Sequence, residues 1–237
     1  MLDYRSFALA TLAAVWFAGP LEAHDGAHKN PPSSAANPAA GYAFALPEPG
    51  SYRLPPIRTA AGGTVLEADG TRLDLAGLLR GRITVFSFIY TRCTDICPIA
   101  TMQLAQLREI ARHDPAVRDQ MQLVSMSFDP AHDTPAVMAE YGSHWSAADG
   151  GAEWHFLTTP DEAALRPILD AYGQAVAKNP DPDDPTGGLS HILRVFLIDK
   201  AGLVRNIYSM DFLDPELVLN DIRTLIHEEA GSDELPD

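Results

Sequence analysis

An apolar run from Arg82 to Tyr90 leads directly into the chain's two cysteines and sets the strictest limit on the fold. The run is rich in β-branched and aromatic residues, which is typical of a central strand buried on both faces of a sheet. Pro98 follows the second cysteine and is expected at the first position of a helix, where its missing N–H costs nothing. The sequence therefore predicts a buried strand, a cysteine loop and a helix in direct succession.

Predicted strands and helices alternate along the rest of the chain. The strands are predicted at Tyr52–Ile57, Thr64–Glu67, Met121–Phe128, Trp154–Leu157, His191–Asp199 and Leu203–Tyr208, and further helices after Thr134, over Asp161–Tyr172 and over Leu213–Glu229. Residues 174–188 are rich in Pro, Asp and Gly, and are predicted to form an inserted loop or hairpin. A βαβ unit followed by an antiparallel strand pair and a final helix is the thioredoxin arrangement. The predicted fold class is α/β and thioredoxin-like, with a central mixed β-sheet flanked by helices, an N-terminal β extension and the inserted hairpin or loop.

Both ends of the chain are expected to lie outside this domain. A basic residue precedes a short apolar stretch, residues 7–18, so residues 1–23 are predicted to be a secretory signal peptide. The stretch is shorter than the roughly 20 residues that span a bilayer, and a short inner-membrane anchor stays open as the alternative. Residues 24–48 are predicted to be a flexible Pro/Ala-rich tether, residues 49–230 the folded domain and residues 231–237 an acidic tail. The predicted location is the periplasm.

The chain is strongly acidic. Its 237 residues carry a formal net charge of −15, and the sequence pI is near 4.8. Nucleic acid and anionic lipid surfaces repel such a charge, which argues against partners of both kinds. The acidity fits a soluble periplasmic protein, and it is compatible with a basic or cationic partner.

The two cysteines, Cys93 and Cys97, lie in one loop and have two chemical uses. They can chelate one soft metal ion, or they can close one small disulfide. A purely structural disulfide would constrain the unfolded chain little, because the loop it closes is so short. The start of the following helix favours a thiolate at Cys97. Metal binding and redox chemistry both remain open at this point.

A metal site on two thiolates needs ligands of another type. No further cysteine exists for an iron–sulfur cluster or a four-sulfur zinc site. His191 is the strongest of eight histidines, because a thioredoxin-type sheet brings its strand toward the cysteine loop; the alternative is a strand-end histidine bonded to backbone. Two thiolates and one imidazole suit Cu(I). Asp129, His132 and Asp133 lie in a loop expected on the same face and are auxiliary ligand candidates. The alternatives are that His132 is a solvated loop residue and that Asp133 only starts a turn or a helix.

Four motifs together resemble the Sco/SenC copper chaperones, which support assembly of the dinuclear copper centre of cytochrome c oxidase. They are Tyr90-Thr91-x-Cys93-x-x-x-Cys97-Pro98, Ser127-Phe128-Asp129-Pro130-x-x-Asp133-Thr134-Pro135, Trp154-x-Phe156-Leu157-Thr158, and Ser190-His191 before Val195-Phe196-Leu197-Ile198-Asp199. The resemblance implies ligation of copper, Cu(I) or Cu(II), by Cys93, Cys97 and His191. The chain departs from the family at Thr94, where Pro is usual, and at Arg92, where His is common.

The resemblance implies a periplasmic copper chaperone that delivers to the copper-bearing subunit of cytochrome c oxidase or to another cuproprotein. A thiol reductant or a second periplasmic copper chaperone would be a further partner. One alternative is a thiol–disulfide oxidoreductase that reduces a partner's copper-site cysteines through the redox-active pair Cys93 and Cys97. A copper or redox sensor is the other.

Overall fold

Strands and helices alternate in the computed structural model of the chain, which describes residues 45–94, 96–145, 150–178 and 188–233. The strands are β1 (Arg58–Thr59), β2 (Thr64–Leu66), β3 (Arg72–Asp74), β4 (Ile83–Ile89), β5 (Met121–Ser127), β6 (Glu153–Leu157), β7 (Val176–Lys178), β8 (Leu189–His191), β9 (Val195–Ile198) and β10 (Leu203–Tyr208). The helices are α1 (Leu75–Leu78), α2 (Ile96–Arg112), α3 (Pro115–Arg118), α4 (Pro135–Ser143), α5 (Glu162–Tyr172) and α6 (Pro215–Asp233), and a 3-10 turn spans Met210–Phe212.

The main sheet has the strand order β1-β10-β9-β4-β5-β6. Strands β4, β5 and β6 are parallel, whereas β9 is antiparallel to both β4 and β10. Two hairpins, β2–β3 and β7–β8, form separate pairs beside this sheet. The mixed sheet, the β4-α2-β5 unit and the closing β9–β10 pair with α6 confirm the predicted α/β class and arrangement.

The two faces of the sheet carry different helices. Phe86 in β4 packs against Tyr172 of α5, with ring centroids 5.0 Å apart. Phe156 in β6 packs against Tyr141 at the end of α4, with centroids 6.0 Å apart. Side chains alternate between faces along a strand, and the register of β4, β5 and β6 places Phe86 and Phe156 on opposite faces. Helix α5 therefore covers one face and α4 the other.

The central strands are buried from end to end. Every residue of β4 and β5 is buried, so neither strand has a solvated face. Phe86, Phe88, Tyr172 and Phe196 form one aromatic cluster against α5. A fully buried side chain of this size contributes about 1.5–3 kcal/mol of stability by leaving water. The sheet is therefore a rigid base for the loops at its edge.

The predicted first strand, Tyr52–Ile57, is wrong. The structure places the strand at Arg58–Thr59, paired with β10. Pro55 and Pro56 lie inside the predicted segment and cannot donate ladder hydrogen bonds, which delays pairing until Ile57, whose N–H donates to Val204 O at 2.8 Å. The segment before it packs on α6, where the Asn220 amide donates to the carbonyl of Pro47 at the end of the predicted tether.

Three further boundaries differ from the prediction. The predicted strand His191–Asp199 is two strands: β8 pairs with β7, whereas β9 pairs with β4 and β10. Helix α2 begins at Ile96, so Pro98 lies within its first turn, where no intrahelical N–H is needed. Helix α6 continues to Asp233, past the predicted start of the acidic tail.

Several predicted features depend on how much of the chain is described. The inserted segment forms the β7–β8 hairpin, and its residues 179–187 are not among those described. The predicted signal peptide and most of the tether also lie outside the described residues. Among the residues that are described, no helix combines the length and the apolar character needed to cross a bilayer.

Candidate metal centre

Two loops meet where β4 and β5 end. Because these strands are parallel, the cysteine loop after β4 and the loop after β5, which begins at Phe128, emerge at the same edge of the sheet. The N–H of Phe128 donates to Ile89 O at 3.0 Å and holds the two exits together. Cys93 and Asp129, four and two residues beyond these strands, are thereby brought to one edge.

The two cysteines are adjacent, reduced and shielded. The Cys97 N–H donates to Cys93 Sγ, with nitrogen and sulfur 3.5 Å apart. Neither cysteine forms a disulfide, and the exposed fraction is 8% for Cys93 and 1% for Cys97. The prediction placed Cys97 just before the helix, whereas the structure places it in the first turn of α2. Backbone N–H groups in the first turn of a helix generally favour a thiolate at such a position.

Two tyrosines border the sulfurs: Tyr90, which is buried, and Tyr141, which is half-buried. Burial and then the negative charge of Cys93 raise the pKa of Tyr90 to about 12, and its hydroxyl donates to Leu189 O at 2.9 Å. Burial also raises the pKa of Tyr141 to about 12, with Cys97 contributing. Both phenols therefore stay protonated near neutral pH. Tyr90 connects the cysteine loop to β8, the strand that carries His191.

Asp133 is a buttress of the cysteine loop. Its carboxylate is fully buried and accepts hydrogen bonds from the Thr91 N–H (3.1 Å), the Thr91 hydroxyl (2.5 Å) and the Ser127 hydroxyl (2.5 Å). A buried charge is stable only when hydrogen-bonded in this way. These bonds tie the start of the cysteine loop to the end of β5. Asp133 therefore holds the loop in place, and its oxygens are already engaged.

The other auxiliary candidates flank this buttress. Asp129 forms an ion pair with Arg92, with Nη2 and Oδ2 2.6 Å apart, and the Arg92 side chain is 54% exposed. His132 is 42% exposed, and its Nδ1 lies 3.1 Å from Asp133 Oδ1. The open alternatives are thus answered in part: Asp133 stands at a helix start and His132 faces solvent.

His191 is held with one ring nitrogen free. Its ring packs against Phe128, with centroids 4.5 Å apart, and one nitrogen is hydrogen-bonded to the Phe88 carbonyl. Nε2 is buried and has no hydrogen-bond partner, so the bonded nitrogen is Nδ1. Burial lowers the pKa of the imidazole to about 4, with the Phe88 carbonyl opposing the shift. The ring is therefore neutral near pH 7 and presents a lone pair.

Cys93 and His191 are connected through two aromatic side chains, but Cys93, Cys97 and His191 do not form a closed cluster. Tyr90 contacts Cys93, and its ring centroid lies 5.0 Å from that of Phe128, which packs on His191. Over the described ranges, no three His, Cys, Asp or Glu side chains surround a common point suited to a metal ion. The structure thus brings the two cysteines together and connects His191 to them through the packed side chains of Tyr90 and Phe128.

Sequence reasoning assigned no role to Tyr90 and Phe128, although both stand in the quoted motifs. The signal was their position: each follows the last residue of a fully buried parallel strand, where the chain enters the site. The two aromatic rings pack on each other and connect the cysteine loop to the imidazole.

Comparison with known proteins identifies the family of the chain. The SCO1/SenC family model matches residues 64–227, which spans every element of the site. The chain belongs to the SCO1/SenC family. An SCO2-like protein of Rickettsia felis is 28% identical over 141 residues, and this match covers 59% of the chain and 64% of the relative's own length.

Solved SCO1/SenC structures share the fold. Copper-bound ScoI of Arabidopsis thaliana superposes with a TM-score of 0.62 at 20% identity, covering 72% of this chain and 99% of that one. BsSco, described as having a disulfide switch and as a member of the Sco family of cytochrome c oxidase assembly proteins, superposes with a TM-score of 0.58 at 22% identity, covering 72% and 95%. These similarities establish the thioredoxin-like fold of this SCO1/SenC protein.

Proposed function

We propose that this protein is a periplasmic copper chaperone, which binds one copper ion through Cys93, Cys97 and His191. It passes that ion to the dinuclear copper centre of cytochrome c oxidase or of a similar cuproprotein. Family membership supports the proposal, as do the copper-bound state of the Arabidopsis relative and the oxidase-assembly role given for BsSco. Two thiolates and an imidazole form a donor set that prefers soft copper to hard cations.

The observation that carries the proposal is the unpartnered Nε2 of His191. A buried polar atom without a hydrogen bond costs about 1–3 kcal/mol. Metal-binding histidines commonly donate the other ring N–H to a carbonyl, which fixes the tautomer and aims the free lone pair at the ion. The hydrogen bond from His191 to Phe88 has this form. A ring already neutral near pH 7 loses no proton on binding copper.

Loading requires a small rearrangement, because the three ligands do not yet converge. His191 ends β8, and residues 192–194 between β8 and β9 belong to no strand. Because this connection belongs to no strand, it is the segment whose shift would carry the imidazole toward the sulfurs.

Exposure suggests an order of release. Cys93 is more exposed than Cys97, at 8% against 1%. An incoming thiolate of the recipient would therefore replace Cys93 first, and Cys97 would leave last. The chain must enter each cycle with both thiols reduced, which calls for a thiol reductant as a partner. A second copper chaperone would be the partner that supplies the copper.

The test is an anaerobic titration of the reduced protein with Cu(I), using a chromophoric competitor to measure affinity. We expect one copper per wild-type chain, loss of tight binding in Cys93→Ser and Cys97→Ser, and weakening of at least tenfold in His191→Ala. His144→Ala is the matched control, because His144 is exposed at the end of α4 and its ring is hydrogen-bonded to the backbone carbonyl of Glu140. Unchanged affinity in His191→Ala, or tight zinc binding with little copper uptake, would refute the proposed site.

One observation favours a second candidate, a thiol–disulfide oxidoreductase. The Cys97 N–H supports negative charge on Cys93 Sγ, and this sulfur is the more exposed of the two. A thiolate of this kind can attack a disulfide. Since that reaction needs no imidazole ligand, His191→Ala should retain thiol exchange while losing copper.

A further inference from the structure

A cleft of about 890 Å³ opens beside the candidate metal centre. Residues of α5 form one wall, and the β7–β8 hairpin forms another. Arg92, Phe128 and Leu189 also line it. Arg92 precedes Cys93, Phe128 packs on His191, and Leu189 accepts the Tyr90 hydrogen bond. The cleft therefore shares its border with the cysteine loop and the imidazole.

Gln174 is a buried amide without partners in this cleft. It lines the cleft between α5 and β7 and is only 6% exposed. Neither Oε1 nor Nε2 of its side chain has a hydrogen-bond partner. Gln122 shows the ordinary case: it is 3% exposed, and its amide donates to Leu78 O at 2.7 Å and to the Thr84 hydroxyl at 2.9 Å. A chain that leaves Gln174 unsatisfied gives up stability at that position.

The amide indicates what the cleft accepts. A glutamine side chain offers one acceptor and one donor side by side, which complements the N–H and C=O of a peptide bond. In the described part of the chain, β7 pairs only with β8, so the hairpin keeps a free strand edge for an extended peptide. Both features call for peptide backbone rather than for a metal or a small anion.

The charges of the cleft agree with this choice. Glu162 and Asp170 face the same cleft as Arg166 and Lys178, and Arg92 is neutralised by Asp129. A phosphate or nucleotide site would show an excess of positive charge, which is absent from this lining. An uncharged or mixed peptide meets no net repulsion.

We infer that the cleft binds an extended segment of the protein that exchanges copper with this chain. The Gln174 amide is shielded from solvent in the free protein, so its side chain would turn into the cleft to bond to the backbone of that segment. The bound segment would pass Arg92, the residue before Cys93. Binding there would hold the recipient's thiolates beside the donor site during ligand exchange. This inference rests on the proposed copper-chaperone function and adds the surface that the partner occupies.

The test uses the apo, soluble copper-bearing domain of cytochrome c oxidase as the probe, titrated against copper-loaded full-length protein. We expect Gln174→Leu to weaken binding roughly tenfold to a hundredfold, since two hydrogen bonds are lost. The same variant should unfold a few degrees higher, because two unsatisfied polar atoms leave the interior. Gln122→Leu is the matched control: it should unfold at a lower temperature and bind the probe as the wild type does.

The outcomes separate this inference from the function beneath it. Copper uptake by Gln174→Leu should equal that of the wild type, and a wild type that takes up no copper would defeat the proposed function itself. Normal copper uptake with no binding of the probe to the wild type would overturn the cleft as a docking site. Equal probe binding by the wild type and Gln174→Leu would overturn it as well. If the inference holds, the NMR signal of the Gln174 side-chain NH₂ group shifts when the probe is added. That signal is identified by its absence from the spectrum of Gln174→Leu.

Discussion

Replacing Asp133 with asparagine should loosen the cysteine loop at a predictable cost. Oδ2 accepts the Thr91 N–H and the Ser127 hydroxyl, and Oδ1 accepts the Thr91 hydroxyl. Asparagine can place its NH₂ only at the Oδ1 position, where the Thr91 hydroxyl can turn to accept it. All three hydrogen bonds then involve a neutral amide in place of a carboxylate, which weakens each of them by about 1 kcal/mol. The free energy of unfolding of Asp133→Asn should therefore be roughly 3 kcal/mol lower than that of the wild type. Freeing Thr91 should also weaken Cu(I) binding about tenfold, as for other outer-shell changes.

The assay is urea unfolding of the reduced, metal-free protein, followed by Cu(I) titration. Asp129→Asn is the control, because its ion pair with the exposed Arg92 contributes at most about 1 kcal/mol. The reasoning is refuted if Asp133→Asn loses less than about 1 kcal/mol, or if Asp129→Asn loses as much.

Three other perturbations follow from the same contacts. The pKa of His191 falls from 6.5 to about 4 on folding, so the unfolded chain binds more protons than the folded chain between these pH values. The stability of the metal-free protein should therefore drop as the pH falls from about 6.5 to about 4. In His191→Gln, the urea midpoint should change less with pH over this range. Tyr90→Phe loses the bond to Leu189 O, so we expect about 1 kcal/mol less stability by urea unfolding and weaker Cu(I) binding. In Gly142→Ala the new Cβ would lie 2.7 Å from the Phe156 ring, and thermal unfolding should show a loss of about 1–3 kcal/mol.

The tyrosine and glycine changes each have a control variant. Tyr172→Phe loses a bond to Ala61 O at 3.2 Å, far from the sulfurs, and should cost stability without changing copper affinity. Gly231→Ala meets nothing within 4 Å on α6 and should be neutral or slightly stabilising. A pH profile for His191→Gln identical to the wild type, full copper affinity in Tyr90→Phe, or a stable Gly142→Ala would each contradict the geometry described.

Local signals made much of this fold predictable. The buried strands β4 and β5 are largely apolar runs. Helices α4 and α5 are each preceded by an N-cap residue, Thr134 and Asp161, whose side chains accept hydrogen bonds from the N–H groups of Val137 and Ala164. These features depend on neighbours in sequence. The cysteine pair was equally visible, because no other thiols compete with it.

Long-range pairing explains what the sequence analysis missed. His191 was placed at the start of one long strand, but its backbone pairs with Val176 across the inserted hairpin. The engagement of Asp133 by Thr91 and Ser127 depends on which loops meet at the sheet edge. The unsatisfied amide of Gln174 likewise appears only once α5 and the hairpin enclose it.

The most direct test of the copper site is X-ray absorption at the copper K-edge of the Cu(I)-loaded protein, compared with His191→Ala. The proposed site predicts two sulfur scatterers and one imidazole nitrogen in the wild type, with the nitrogen lost in the variant. A wild-type spectrum without an imidazole, or one that the variant reproduces, would show that His191 does not complete the site.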